Sequence, residues 1–196
     1  MRKVYCVIIL SFVTSAIFAQ NVAIVNGKPL SSREFMWFYK KNHAGNAGAS
    51  YSDLETYLNL YIDFKLKVLD AKELGLDKDT AYLAEVKDYE LSLNTQKRVS
   101  KSKPEYTFMA NEYRDAVLMF NLTEQKIWEK AQNGETELRA FYDGHKNDYP
   151  QGSFEEIKGQ VITDYQQSLE NQWIAALRKR YTVKIHPDEL KKLAKH

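Results

Sequence analysis

Four histidines, His43, His145, His186 and His196, are the first residues to test for chemistry in this sequence. No two of them stand in a His-Glu-x-x-His spacing, which would set two imidazoles and a carboxylate on one helix face around zinc. None falls in another acidic–histidine metal spacing. A Gly-x-Ser-x-Gly elbow, a phosphate loop and a dinucleotide loop are all absent from the chain. The 26 Asp and Glu residues alternate with Lys along helical stretches, which is the pattern of a solvated surface, not of a paired acid and base. Cys6 is the only cysteine. The expectation is therefore a protein with no catalytic residues, no cofactor and no metal. Asn121-Leu-Thr123 matches a glycosylation acceptor, but between two helical segments Thr123 reads better as a helix cap.

The unusual resource is aromatic. The chain holds 13 Tyr, 9 Phe and 3 Trp. Phe35-Met36-Trp37-Phe38-Tyr39 is apolar right round a helix, not on one side of it. A second concentration runs through Tyr106, Phe108, Met109, Tyr113, Met119 and Phe120. Aromatic side chains fill helical cores efficiently, and that is one reading. The other is an adaptable apolar cleft, since the flexible, polarizable Met side chain fits irregular partners and Tyr offers contact area with a polar tip. The candidate contact residues on this second reading are Phe35, Met36, Phe38, Tyr39, Tyr61, Phe108, Met109, Met119, Phe120 and Trp173.

The N-terminus has the three parts of a secretory signal. Arg2 and Lys3 are followed by an uncharged apolar run, Val4 to Phe18, and by the small residue Ala19. That run is shorter than the roughly 20 residues a spanning helix needs. The expected cut lies near Ala19, and the expected compartment is the periplasm, with no stable membrane insertion after cleavage. Cys6 leaves with the signal. Loss of Arg2 and Lys3 takes Lys+Arg from 28 to 26, equal to Asp+Glu at 26. The mature chain has no global basic field, so nucleic acid is not an expected partner.

Asn21 to Asn26 is a β-rich run ended by Gly27 and Pro29, which reads as one strand and a turn. Ser31 or Ser32 caps a first helix to about Asn42, and Ala44 to Ser50 is a small-residue loop. Ser52 or Asp53 caps a second helix, with Leu54, Tyr57, Leu58, Tyr61, Ile62, Leu66 and Leu69 in one stripe. Leu60, Phe64 and Val68 widen that stripe beyond a single face. Gly75 stops the helix, and a third helix runs from Thr80 to Ser100 with Leu83, Val86, Tyr89 and Leu93 inward. Pro104 marks a break. Phe108–Phe120, a short helix capped by Thr123, and Glu135–Tyr149 are further helices. Ser153 and Glu156 form a capping-box pair ahead of the last helix, Phe154 to Tyr181, about 40 Å long at 1.5 Å per residue. Thr182 to His186 alternates like a strand, and a charged tail follows from Lys191. Two lone strands far apart in sequence need partners, so Val22–Val25 is expected to pair with Thr182–Ile185.

This order of elements resembles a known family. Val22-Ala-Ile-Val-Asn-Gly-Lys-Pro-Leu30 with Ser-Ser-Arg-Glu-Phe35 resembles the opening of SurA-type periplasmic chaperones and parvulin-type peptidyl-prolyl isomerases. Tyr61 to Gly75 is similar to the helix that follows in that family. Asn111 to Trp128 and Leu138 to Tyr149 resemble the segment ahead of its isomerase domains, and Phe154–Ile162 with Trp173–Tyr181 the helix after them. Only Pro150-Gln-Gly-Ser153 separates the last two blocks here, and no Gly-Gly occurs, so the parvulin domain is absent.

The resemblance implies a mainly α fold. It would be a multi-helix chaperone domain over residues 20–190, with a small two-stranded sheet joining the terminal strands and a long C-terminal helix. Within it, 30–103 is a helical core, 104–149 connecting helices and 154–186 the closing helix and strand, with 191–196 a tail. The implied function is ATP-independent holding of unfolded outer-membrane or secreted polypeptides. The alternatives are the family's isomerase activity, or a non-catalytic subunit docking to a full-length relative.

Overall fold

The computed structural model describes residues 20–43, 48–95, 100–149 and 153–194. The expected signal and its cut lie outside the described residues. So do positions 44–47 of the expected loop, residues 96–99, most of the 150–153 break, and His196.

The chain begins with a hairpin where the sequence predicts a single strand. Strand β1 (Asn21–Val25) pairs antiparallel with β2 (Lys28–Ser31) across Asn26-Gly27. Both turn residues have positive φ, 47° and 76°, as a two-residue type I′ turn demands, and Asn-Gly is the dipeptide best able to supply them. Strand β3 (Val183–Ile185) pairs antiparallel on the other side of β1, with Ala23 opposite Ile185 and Val25 opposite Val183. The predicted pairing of the two ends of the chain is therefore present, but the sheet has three strands in the order β2-β1-β3, not two. Pro29 fits because β2 is an edge. It lies opposite Ile24, whose own backbone serves β3, so no ladder bond needs the missing Pro29 N–H.

Helix α1 (Ser32–Asn42) starts at Ser31, whose hydroxyl accepts from the Glu34 N–H at 3.2 Å. Helix α2 (Tyr51–Glu73) is capped by Ser50 in a reciprocal box with Asp53, two residues before the expected cap. It ends ahead of Gly75, which takes the left-handed φ of 78°. Helix α3 (Thr80–Thr95) buries Tyr82, Val86 and Leu93, while Leu83, expected inward, is exposed. The 82, 86, 93 face is as helical as the predicted one, and the Asp79 carboxylate accepts from the Ala81 and Tyr82 N–H groups at the start of the helix.

Pro104 follows the expected break at residues 100–103 and opens the next helix. It stands at the first position of α4 (Pro104–Thr123), where its lost N–H is unneeded. Thr123 caps nothing. Its hydroxyl donates to the Met119 carbonyl at 2.7 Å, and the helix continues through a π turn (Glu124–Trp128) into α5 (Glu129–Asn133). Helix α6 (Glu135–Gly144) follows, then α7 (Phe154–Arg180), with the predicted Ser153–Glu156 capping box in place. The charged tail is helical through Leu193, as α8 (Pro187–Leu193), because Leu190 is fully buried and anchors it.

The main core surrounds α2. Leu58, Ile62 and Leu66 lie beneath Leu118 and Leu122 of α4, Ile127 of the π turn and Leu190 of α8. Each such side chain contributes about 1.5–3 kcal/mol by leaving water. Helix α4 thus contributes Val117, Leu118 and Leu122 to the main core. A smaller core stands apart, formed by Leu138, Tyr149, Phe154 and Val161 with Phe141 and Tyr165 against it. Leu138→Ala, which empties the centre of that cluster, is expected to cost about 2–4 kcal/mol locally. Hydrogen exchange should show α6 and the first half of α7 losing protection while α2 amides keep theirs.

Candidate functional site

The residues with catalytic potential are engaged in holding the fold. Nδ1 of His43 donates to the Tyr39 carbonyl and Nδ1 of His145 to the Phe141 carbonyl, each at 2.8 Å. His186 Nδ1 donates to the Asn21 carbonyl at 2.9 Å and fastens β1 to the chain after β3. Among the described residues, no three His, Cys, Asp or Glu side chains converge on a site that would hold a metal ion. Buried tyrosines serve as donors. Tyr61 reaches Glu34 at 3.0 Å, and burial pushes its hydroxyl far above the ordinary value. Burial and the Asp164 carboxylate push Tyr149 up to about 12.

Two aspartates clamp the helices around α2. Asp115 of α4 accepts from Lys65 at 2.8 Å and from Lys72 at 2.9 Å, both on α2. Asp70 of α2 accepts from Lys126 at 2.6 Å, the Trp173 indole N–H at 2.8 Å and Arg180 at 3.2 Å, so one carboxylate joins the π turn and α7 to α2. Burial alone would raise the Asp115 carboxyl, but the two ammonium groups outweigh it and hold it below the ordinary value. The folded state therefore binds this proton less readily than the unfolded chain does. The stability it contributes is full above about pH 4–5, near the unfolded carboxylate range, and is lost as pH falls through the lower folded value. Asp115→Asn should flatten the dependence of urea-unfolding free energy on pH below about 4, relative to the parent.

The ten aromatic and methionine candidates divide between core and surface. Phe35, Phe38, Tyr39, Tyr61 and Trp173 are buried. Trp173 is held by its indole bond to Asp70, and Phe35 packs on Tyr57 and Tyr61. Phe35, Tyr39 and Trp173 follow the core reading, while Phe38 and Tyr61 are buried but also form part of a surface depression. Met36, Phe108 and Met119 are half-buried against the same core, and Met109 is half-buried on α4. Trp37 rests on Phe108, so α1 is covered on more than one side, and this explains its all-round apolar sequence. Phe120 is the outward-facing member, 51% exposed.

Phe120 belongs to an apolar strip that crosses from α2 to α4. One shallow depression of about 220 Å³ is lined by Phe38, Tyr57, Leu60, Tyr61, Phe64 and Ala116, with Asn42 and Glu112 at its rim. A second, of about 430 Å³, is lined by Ala116, Val117, Met119 and Phe120, with Glu85 and Asn121. Ala116 lines both depressions. Leu60 is 63% exposed at one end. Phe120 stands at the other, edge-to-face with Trp128 at 5.0 Å.

The π turn explains that last pair. Residues eight apart on an α-helix are rotated by about 80° from one another. One extra residue absorbed in a wider turn brings them to within about 20°, the offset of a seven-residue step. Trp128 therefore meets Phe120 edge-to-face on one side of the helix. The Thr123 hydroxyl also approaches the Met119 sulfur at 3.3 Å, which positions the neighbouring thioether.

The sequence names Phe38, Tyr61, Met119 and Phe120 but not Leu60, Phe64, Ala116 or Trp128 as part of this surface. Leu60 and Phe64 did carry a signal, since they lie off the main stripe of α2. Nothing local marks Ala116 or Trp128. No family model, curated protein or solved structure matches the chain.

Proposed function

We propose that this protein is an exported, ATP-independent holdase that binds unfolded polypeptide through the α2–α4 strip. The observation that carries this reading is the pair of neighbouring apolar depressions that share Ala116, with Leu60 exposed in one and Phe120 in the other. Exposed contiguous apolar surface marks interaction sites in soluble proteins. A shallow strip containing Met, Phe and Leu suits varied apolar side chains more than one fixed ligand. Export follows from Arg2, Lys3, the apolar run Val4–Phe18 and Ala19. Among the described residues no helix is long and apolar enough to cross a membrane. The clients of such a protein in the periplasm are unfolded outer-membrane and secreted chains. Binding them acts by mass action on the unfolded state and needs no chemical step.

The test is light scattering of a chemically unfolded client diluted into buffer with and without the purified protein. Suppression of aggregation at about one protein per client is the expected result. A protein with native circular dichroism that leaves aggregation unchanged would refute the reading. A proline-peptide assay on the same sample is expected to show background isomerisation only.

A further inference from the structure

The sheet has two edges, and the sequence treats them differently. On β2 the outward-facing residue is Pro29, which has no N–H to offer a further strand. On β3 the ladder to β1 uses the backbone of every second residue. Lys184 stands opposite Ile24, the Asn26 N–H donates to the Thr182 carbonyl at 2.7 Å, and the His186 N–H donates to the Val22 carbonyl at 2.9 Å. The N–H and C=O groups of Val183 and Ile185 therefore point away from β1, and among the described residues no strand lies beyond them. The side chains of these two residues rest against the main core. Lys184 is exposed on the other face and pairs with no carboxylate among the described residues.

We infer that the β3 edge takes an extended apolar–acidic–apolar segment of an unfolded polypeptide as a fourth, antiparallel strand. The inference rests on the holdase reading, which supplies such segments, and adds a main-chain contact to the apolar strip. Val183 and Ile185 each exchange two hydrogen bonds with the added strand, and an unfolded chain offers the matching groups wherever it lacks proline. The residues opposite Val183 and Ile185 share their inner face, so apolar side chains extend the core there. The residue between them faces Lys184 in a non-hydrogen-bonded pair, where side chains lie closest. A carboxylate is favoured at that place and a cation opposed. The same geometry disfavours a second copy of this chain, because full antiparallel overlap of two β3 edges sets Lys184 against Lys184. Lysine on an edge guards against self-pairing, yet here it leaves the main-chain groups open to a strand of opposite charge.

The test is nuclear magnetic resonance of the isotope-labelled purified protein with capped peptides at millimolar concentration and low salt. One peptide has the centre Ser-Val-Glu-Val-Ser, a second replaces its Glu by Lys, and a third carries N-methyl groups on both Val nitrogens. The Glu-centred peptide should slow exchange of the Val183 and Ile185 amides and bind about fivefold tighter than the Lys-centred one. The methylated peptide should bind at least about tenfold more weakly, because both donors to the Val183 and Ile185 carbonyls are gone. Val183→Pro gives β3 the missing donor that Pro29 gives β2 and breaks no bond to β1. With native circular dichroism it should weaken the Glu-centred peptide about fivefold. If that variant does not fold, the methylated peptide decides. Unchanged Val183 and Ile185 amides with every peptide overturn the inference, as does equal binding of the methylated or the Lys-centred one. Slowed exchange that grows with protein concentration in the absence of peptide assigns the edge to a second copy and also overturns it. None of these results bears on suppression of client aggregation through the α2–α4 strip, which light scattering decides separately.

Discussion

Asp70→Ala is expected to lower the unfolding free energy by about 3 kcal/mol, measured by urea denaturation at pH 7. Asp70 is only 3% exposed and receives three donors from two other segments. Alanine leaves the Trp173 N–H buried without an acceptor and removes the anion facing Lys126 and Arg180. Both cations reach partly into solvent, so water recovers some of the loss, and the effect falls at the lower end of the range for broken buried pairs. Trp173→Phe isolates the indole bond and should cost less, about 1–2 kcal/mol, because the carboxylate keeps its two cations. Equal losses in the two variants would mean that the indole, and not the charge, holds α7 to α2. Neither change touches the apolar strip, so client binding by the folded fraction should be unaltered.

Leu60→Asp with Phe120→Asp is expected to do the reverse, abolishing suppression of client aggregation while leaving stability almost unchanged. Both side chains are more than half exposed, and substitutions at such positions usually move stability by no more than about 0.5 kcal/mol each. A carboxylate at each end of the strip would place charge where apolar client surface must lose water, which costs far more than the contact returns. Light scattering with an unfolded client, alongside urea unfolding, separates the two quantities. Unimpaired suppression by the double variant would remove the strip from the binding site.

The terminal strands and the long last helix were legible in the sequence because their signals are local. Thr182–Ile185 alternates and stops before Pro187, and Phe154 to Arg180 repeats with a capping box at its start. The hairpin was missed although Asn26-Gly27 is a strong hairpin signal, because Pro29 argued against a second strand. Only the register shows that Pro29 sits where no ladder bond is needed. Thr123 was misread for a related reason. A Ser or Thr looks the same in sequence whether it caps a helix or donates back to the carbonyl four residues earlier.

The aromatic residues make the same distinction for the candidate site. By itself the sequence determined that the protein is mainly helical and closed by strands from its two ends, and that its unusual resource is aromatic and methionine side chains. Composition and helical period suffice for that. Which of those side chains meet solvent was decided by tertiary structure. Phe35 and Phe120 are chemically identical, yet one is sealed beneath its neighbours and the other stands half out of the surface. Exposure depends on which helices pack across a face, and α2 and α4 meet through residues some fifty positions apart, such as Lys65 and Asp115. The meeting of the two depressions' linings at Ala116, and the edge-to-face contact of Trp128 with Phe120 by one residue taken up in a π turn, arise only from the folded structure.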